Sequence, residues 1–289
     1  MSTGSTGAFG PVVVRRRLGA ALRRLREEAG LRLDQVAAEL EWSASKISRL
    51  ETGHSIAKTW DVRNLLTVYG MESGDLRADI LRWVEEARAV AWWQPFSDAD
   101  PGDLDYFISL EAEASSIHHF CSVIPGLLQT EGYARAILTD MLTERHGLSD
   151  SAIDGLVNVR VKRQEVLARE DDPLALRVVL DEGALLHRIG DDGVMTAQLR
   201  HLLALRHNVD LRIRPLSAPV RRYGLSPWTI FFPRQASYDP VIVCVEAAGR
   251  DHYVEESGQV DEFRSAFAGL LSDSLDNERS VELIRQLIR

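Results

Sequence analysis

The stretch LDQVAAELEWSASKISRLETG, residues 33–53, decides the fold of the first part of the chain. Its apolar residues recur at helical spacing in two groups, which are Leu33, Val36, Ala37 and Leu40, then Ile47 and Leu50. The polar run EWS separates the groups. Two short helices joined by a tight turn form a helix-turn-helix, so the spacing predicts this motif over residues 33–52.

The outer face of the second helix is small, polar and basic. With Ile47 and Leu50 turned towards a core, the residues left outside are Ser43, Ala44, Ser45, Lys46, Ser48 and Arg49. Small side chains at a helix N-terminus permit close approach to the DNA major groove, which is about 12 Å wide. The same pattern also fits a solvated helix in a structural bundle, but the spacing and the charge distribution described below favour contact with double-stranded DNA.

Three of these residues receive distinct roles. Ser43 is the predicted N-cap of the helix, and the amides behind it suit a phosphate oxygen. Arg49 lies one turn further along and has the reach to bond guanine O6 and N7 together. Lys46, a point charge on a flexible stem, suits a phosphate.

Residues 15–93 are predicted to form a compact helical domain. Apolar spacing gives five short helices within this segment, and Gly30 and Gly70 stop two of them. The polar, Gly-containing start of the chain, residues 1–14, is predicted to be a flexible tail.

A cluster of Pro, Gly and Asp over residues 94–103 predicts a linker, beyond which residues 104–289 form a second domain of mixed type. Strands are predicted over 176–180, 209–215, 228–232 and 241–246. Helices are predicted over 108–119, 127–142, 153–170, 195–207, 256–271 and 277–289. The expected fold class is therefore multi-domain, with an all-α helix-turn-helix domain followed by an α+β domain.

Charge is distributed unevenly along the chain. The net charge is −9, yet residues 15–64 hold eleven Lys or Arg against seven Asp or Glu, and the remainder is correspondingly more acidic. This asymmetry is expected when one part of a protein meets a polyanion and the other does not.

Bulk features indicate a cytoplasmic protein that joins the nucleoid when bound to DNA. No apolar run approaches the ~20 residues of a membrane span, and no secretion signal is recognisable at the start. The two cysteines, Cys121 and Cys244, are far apart in the chain and do not indicate a disulfide framework.

Catalytic and metal sites are not predicted, and neither is a cofactor. His118, His119 and Cys121 lack the spacing of a zinc site and are interpreted as packing residues. Asp181 and Glu182 follow a predicted strand, where catalytic carboxylates can lie, but the sequence has no nucleophile elbow, phosphate-binding loop or H-E-x-x-H motif.

Two further groups have the composition of binding residues. Trp92 and Trp93 are interpreted as sealing an interface between domains rather than stacking on a ligand. The basic segment 221–223 is interpreted as a solvated loop rather than a site for a partner or a phosphate.

Residues 15–69 resemble the phage-repressor-like, or xenobiotic-response-element, family of helix-turn-helix proteins. The resemblance lies in LRRLREEAGLRLDQVAAEL followed by SASKISRLETG. It implies a buried structural ion pair between Arg26 and Glu51, whose loss should destabilise the fold. This chain has Leu33 where many members have a phosphate-binding Gln, and Glu41 where the turn commonly has Gly.

Nearly the whole chain resembles a large family of toxin–antitoxin-like transcriptional regulators from filamentous sporulating bacteria. The matching segments are WWQPF, LEAEASSI, VIPGLLQTEGYARAIL, RQEVLAR and VVLDEGALL. The resemblance implies a partner, namely a small protein encoded nearby.

We therefore predict a non-enzymatic, sequence-specific transcriptional regulator that binds double-stranded DNA as a homodimer, with the fifth helix or the C-terminal domain supplying the contact between the two copies. Its C-terminal domain is expected to bind a small partner protein as an antitoxin-like or anti-repressor switch. The alternative is the same DNA-binding domain joined to a C-terminal domain that senses a small molecule. A third hypothesis is an enzyme tethered to DNA through its N-terminal domain. A two-fold DNA site fits the small footprint of one recognition helix.

Overall fold

The structure, a computed structural model, describes residues 10–97, 104–146, 148–247 and 251–288. The chain divides into two compact units. The first contains the residues up to Gln94 together with two later segments, Asp105–Glu113 and Ser237–Asp239, and the second contains the remainder. The predicted fold class is confirmed, because helices alone build the first unit up to Gln94 and a mixed sheet lies in the second.

Seven helices precede the sheet among the described residues. Their bounds are α1 Pro11–Glu28, α2 Leu33–Leu40, α3 Ala44–Glu51, α4 Thr59–Val68, α5 Asp75–Ala87, α6 Gln94–Ser97 and α7 Leu104–Glu113. The apolar faces of the first five meet in one core around Leu22, Ile47, Leu65 and Trp83, each fully buried. The helix spacing read from the sequence thus locates this core.

The first helix begins earlier than predicted. The sequence assigned residues 1–14 to a tail, but α1 starts at Pro11, the N1 position where the missing amide hydrogen of proline does no harm. Val13 and Val14 are then buried against the core, so their burial holds this turn in place. Residues 1–9 of the predicted tail lie outside the described residues, and so do residues 98–103 of the predicted linker.

The division between the units also differs from the one predicted at residues 94–103. Residues 105–113 and 237–239 were assigned to the second domain, but both belong to the first unit. An ion cluster explains this placement, since the buried Arg17 side chain of α1 bonds Glu113 at 2.7 Å and Asp239 at 2.6 Å. A domain boundary predicted from local composition cannot include ion pairs between residues that are far apart in the sequence.

The second unit is built on a six-stranded sheet in the order β3-β2-β1-β4-β5-β6. The strands are β1 Ala114–Cys121, β2 Ala175–Asp181, β3 Val209–Arg214, β4 Trp228–Pro233, β5 Ile242–Val245 and β6 His252–Val254. Strands β1, β2 and β3 are parallel, and β4 to β6 run antiparallel to their neighbours. The helices of this unit are α8 Glu131–His146, α9 Asp150–Arg163, α10 Gly183–Leu186, α11 Asp192–Leu202, α12 Ser257–Ser272 and α13 Asn277–Leu287.

One face of the sheet packs against α12. Phe120, Trp228 and Ile230 from the strands meet Phe263 and Phe267 of the helix, and all five are buried. No helix of the described residues is both long enough and apolar enough to cross a bilayer.

The predicted helix 108–119 is wrong in its second half, because α7 ends at Glu113 and β1 begins at Ala114. The strand lies in the middle of the sheet, with β2 on one side and β4 on the other. Backbone hydrogen bonds to a neighbour on each side stabilise such a strand and outweigh a weak local helix preference.

Candidate nucleic-acid interface

Helix α3 begins as the sequence indicates. Ser43 has an extended backbone, and its hydroxyl accepts a hydrogen bond from the Lys46 amide at 3.2 Å, which is the geometry of an N-cap. The helix ends at Glu51, and Gly53 follows with a φ of +71°. The cap fixes where the exposed first turn begins.

The two faces of α3 are separated by burial. Ile47, Leu50 and Glu51 are buried, whereas Ser43, Ala44, Ser45 and Arg49 are exposed, and Lys46 and Ser48 are half-buried. The six residues predicted to contact DNA therefore share one short helix and its cap. The cap and the first two residues of the helix, Ser43, Ala44 and Ser45, have small side chains, so another molecule could approach the backbone closely there.

Arg26 and Glu51 form the buried ion pair that the resemblance implied. The guanidinium Nε donates to Glu51 Oε1 at 2.7 Å and its Nη2 donates to Oε2 at 2.9 Å. The same guanidinium donates to the Leu31 carbonyl, and the Tyr69 hydroxyl lies 3.5 Å from Glu51 Oε1. The hydrogen bond with Glu51 raises the pKa of Arg26 above its ordinary value. The pair ties the last turn of α3 to α1.

A close backbone approach provides a second tie between α1 and α3. A Cβ placed on Gly19 would lie 2.5 Å from the Glu51 carbonyl oxygen and 2.7 Å from that of Leu50. Contacts so short do not occur with real side chains, and the obstacle is backbone rather than a side chain that could turn aside. Only glycine therefore allows α1 to lie this close to the end of α3.

Lys46 is held at the surface by two residues that the sequence did not single out. Its Nζ lies 3.0 Å from Asp61 Oδ1 and 3.4 Å from the centroid of the Trp42 ring. Asp61 is in the first turn of α4, and Trp42 is in the turn before α3. A lysine that contacts a phosphate from this position must first leave the carboxylate. No local sequence signal connects residues fifteen positions apart, so this clamp could not have been predicted.

Arg49 points outwards and has no hydrogen-bond or ion-pair partner among the described residues. Lys58 and Arg63, at the start of α4, are exposed and unpaired in the same part of the structure. Unpaired cations on two successive helices form a basic edge, which attracts a polyanion without the loss of an existing ion pair.

The turn between α2 and α3 contains a strained residue. Glu41 has φ +55° and ψ +37°, the left-handed conformation that glycine adopts more readily than any other residue. A side chain in this region costs about 1–2 kcal/mol, because Cβ crowds the following carbonyl.

Replacing Glu41 by glycine is expected to raise the free energy of unfolding by about 0.5–1 kcal/mol, since relief of strain exceeds the added entropy of the unfolded chain. Chemical denaturation of both proteins would measure the difference. Glu39→Gly, an exposed change inside α2, is the matched control and should lower stability by about 1 kcal/mol. A Glu41→Gly protein that is no more stable than the original would contradict the strain argument.

The two histidines and the one cysteine of β1 have packing environments. His118 stacks on Phe267 with ring centroids 4.6 Å apart, and burial lowers its pKa to about 4. His119, the next residue along the strand, lies 3.4 Å from the Glu246 carboxylate. Cys121 is buried as a free thiol. The described residues contain no group of three or more potential metal ligands.

The carboxylates after β2 are engaged in local contacts. Asp181 accepts a hydrogen bond from the Gly183 amide and lies 3.3 Å from the Arg214 guanidinium. Glu182 accepts one from the Leu216 amide at 2.8 Å. Both side chains therefore shape the turn that follows the strand.

The remaining residues singled out in the sequence belong to separate units. Trp93 is buried in the first unit, where its indole donates to Asp105 and its ring meets Trp92 edge to face. In the second unit, the segment 221–223 borders an open groove of about 500 Å³ beside α12. Arg221 there pairs with Asp273 at 2.6 Å.

Two family models match the chain. Residues 104–286, more than half of the chain, match the family described as "Domain of unknown function (DUF5753)". Residues 17–80 match the family described as "Helix-turn-helix domain". No curated protein and no solved structure matches the chain.

Proposed function

We propose that this chain is a sequence-specific transcriptional regulator. It belongs to the family described as "Domain of unknown function (DUF5753)", and it also carries a helix-turn-helix domain. The helix-turn-helix domain makes it a DNA-binding regulator. The finer proposal is that α3 enters the major groove and that the head is of the phage-repressor-like kind. The buried Arg26–Glu51 pair, at the positions the resemblance implies, supports this kind of head.

The observation that carries the proposal is the exposed face of α3. Small residues occupy its cap and its first two positions, and the side chain of Arg49, which has no partner among the described residues, lies one turn further on. An arginine in this position reaches guanine, and such a bidentate bond contributes about 1–3 kcal/mol of discrimination between bases. Ser45 and Ser48 complete the exposed face of α3, whose only acidic residue, Glu51, is buried.

Two copies are proposed to act together on DNA. An eight-residue helix covers only a few base pairs, so a useful affinity requires a second recognition helix on a symmetry-related half-site. Mapping of the bound sites across the genome would show whether the recognised sequence has two-fold symmetry.

For the second unit we propose a binding role rather than a catalytic one, with a small protein as the partner. Three large apolar side chains on the segment between β3 and β4 support a protein partner, since Leu216, Val220 and Leu225 are 63%, 75% and 81% exposed. A small-molecule ligand is the alternative. Purification from native cells distinguishes them, because a stoichiometric small protein supports the first and a bound metabolite the second.

Arg49→Ala is expected to relax base preference at one position of the recognised site, while affinity for unrelated DNA changes little. Lys46→Ala is expected to weaken binding to all sequences and to lower the slope of log affinity against log salt by about 1. Both follow from the difference between a base contact and a phosphate contact. Affinities for matched and mismatched duplexes over a range of salt concentrations measure them.

Arg24→Ala serves as the matched control, because Arg24 lies on the exposed side of α1. Its binding curves should follow those of the unchanged protein. If Arg49→Ala and Lys46→Ala also do so at every salt concentration, then α3 does not enter the groove as proposed.

A further inference from the structure

The segment after α3 exposes two large apolar side chains. Ile56 is 58% exposed, and Trp60, in the first turn of α4, is 70% exposed. The other described tryptophans are buried or half-buried. An exposed tryptophan is unfavourable in water unless something covers it, so this pair, the Ile56–Trp60 patch, calls for an occupant.

The patch is continuous with the proposed DNA-contact surface. Asp61, the neighbour of Trp60, is the residue that holds Lys46 of α3 at 3.0 Å. The exposed cations Lys58 and Arg63 flank Trp60 along the chain. A molecule that covers the patch therefore lies next to DNA bound by α3.

The charges around the patch are of both signs, as a contact between two copies of the same surface requires. Thr59 donates a hydrogen bond to the Glu85 carboxylate at 2.7 Å, which places an exposed acidic side chain beside Trp60. Asp61 adds a second carboxylate. A second copy of this surface offers Lys58 and Arg63 to these acids and its own apolar pair to Trp60. Two-fold contacts are self-complementary in this way.

The size of the patch determines when the contact forms. A stable dimer in solution buries about 1,200–2,000 Å² in total, whereas a tryptophan contributes only about 150–250 Å². The patch is therefore too small to hold two free copies together. DNA that binds both copies at neighbouring half-sites raises their effective concentration, and a small contact then suffices.

We propose that Ile56 and Trp60 form the contact between two copies of this chain bound side by side on DNA, which makes their binding cooperative. The inference rests on the proposed groove binding by α3. It adds the surface through which the second copy is recruited.

The test uses full-length protein and two duplexes. The first is a sequence that the unchanged protein enriches from a random duplex pool, and the second carries only one half of that sequence. Trp60→Ala and Ile56→Ala are compared with Val90→Ala, a truncation of another exposed apolar residue, 78% exposed, in the same unit. Binding to each duplex is followed by fluorescence anisotropy.

Trp60→Ala is expected to weaken binding to the whole duplex roughly thirtyfold, the effect typical of an interface tryptophan, and to abolish cooperativity. Affinity for the half duplex should change less than about twofold, and Ile56→Ala should act in the same direction with a smaller loss. Val90→Ala should leave both duplexes unaffected.

Other outcomes overturn the inference. An equal loss on both duplexes would mean that Trp60 contacts DNA itself, and no loss on either would mean that the patch is not an interface. An enriched sequence with a single, unrepeated half would exclude the second copy but leave groove binding by α3 intact. If the unchanged protein enriches no sequence at all, the proposed function itself fails.

Discussion

Replacing Arg17 by methionine is expected to destabilise the N-terminal unit by about 3–5 kcal/mol, because the change leaves two buried carboxylates without their counter-charge. The guanidinium makes four hydrogen bonds of 2.6–2.9 Å to Glu113 and Asp239. It also lies 5.6 Å from the ring of the buried Trp83. A domain has only about 5–15 kcal/mol of net stability, so such a loss leaves little of the unit folded.

Hydrogen exchange at the amides of α1 is the suitable measurement, because it reports on this unit alone in a chain of two units. Arg23→Met is the matched control, the same change on the same helix at a guanidinium that is 63% exposed and paired with Glu27. Exposed i,i+4 pairs contribute little, so its exchange should resemble that of the unchanged protein. Equal protection in the Arg17 and Arg23 variants would show that the cluster does not stabilise the unit.

Replacing Glu51 by alanine is expected to lower the free energy of unfolding by about 3–5 kcal/mol as well, since Arg26 would remain buried without the carboxylate that accepts two of its hydrogen bonds. The effect should extend to DNA binding, because Glu51 is the last residue of α3 and its pairing fixes the helix against α1. The melting temperature and the affinity for duplex DNA should therefore both be lower in this variant.

Two further variants separate the loss of the pair from the loss of a carboxylate. Glu28→Ala removes an exposed carboxylate of α1, one that faces Arg24 and not Arg26, and should change neither readout. The double change Arg26→Met with Glu51→Leu removes both charges and should recover much of the stability, since apolar replacements of buried pairs are often neutral. A double variant as unstable as Glu51→Ala would contradict the view that the orphaned charge causes the damage.

The helices of the DNA-binding domain could be predicted from the sequence because the signals that specify them are local. The spacing of Ile47 and Leu50 identifies the buried face of α3, and Ser43 identifies its start, since caps and stripes depend on residues within one or two turns. Glu41 illustrates a finer case, because a resemblance alone indicated the position at which the backbone becomes left-handed.

Features that depend on distant pairing were out of reach. The strand β1 could not be distinguished from a continuation of α7, because its pairing with β2 and β4 involves residues 175–180 and 228–233. The short strand His252–Val254 is not predicted either, because three residues are too few to show a periodic pattern. The clamp on Lys46 joins residues in different helices, and neither side chain is unusual for its own helix.

The candidate site was predicted as a set of side chains, not as an arrangement. The sequence identified which face of α3 is exposed but treated Lys46 as free, whereas the structure pairs it. It gave no indication of the exposed Trp60, because a tryptophan three residues from Ala57 and two from Val62 fits an apolar stripe equally well. Exposure is a property of the assembled unit and has no local sequence signal.

The composition of the first unit has a consequence for how such regulators can exchange their heads. The family match that begins at residue 104 includes a helix and a tripeptide that structurally complete the preceding unit. A recombination event or an engineered fusion that cuts between the two matches would separate Arg17 from both of its carboxylates. A transplanted head must therefore bring these two pieces with it, and genes of this design should inherit both halves from the same parent.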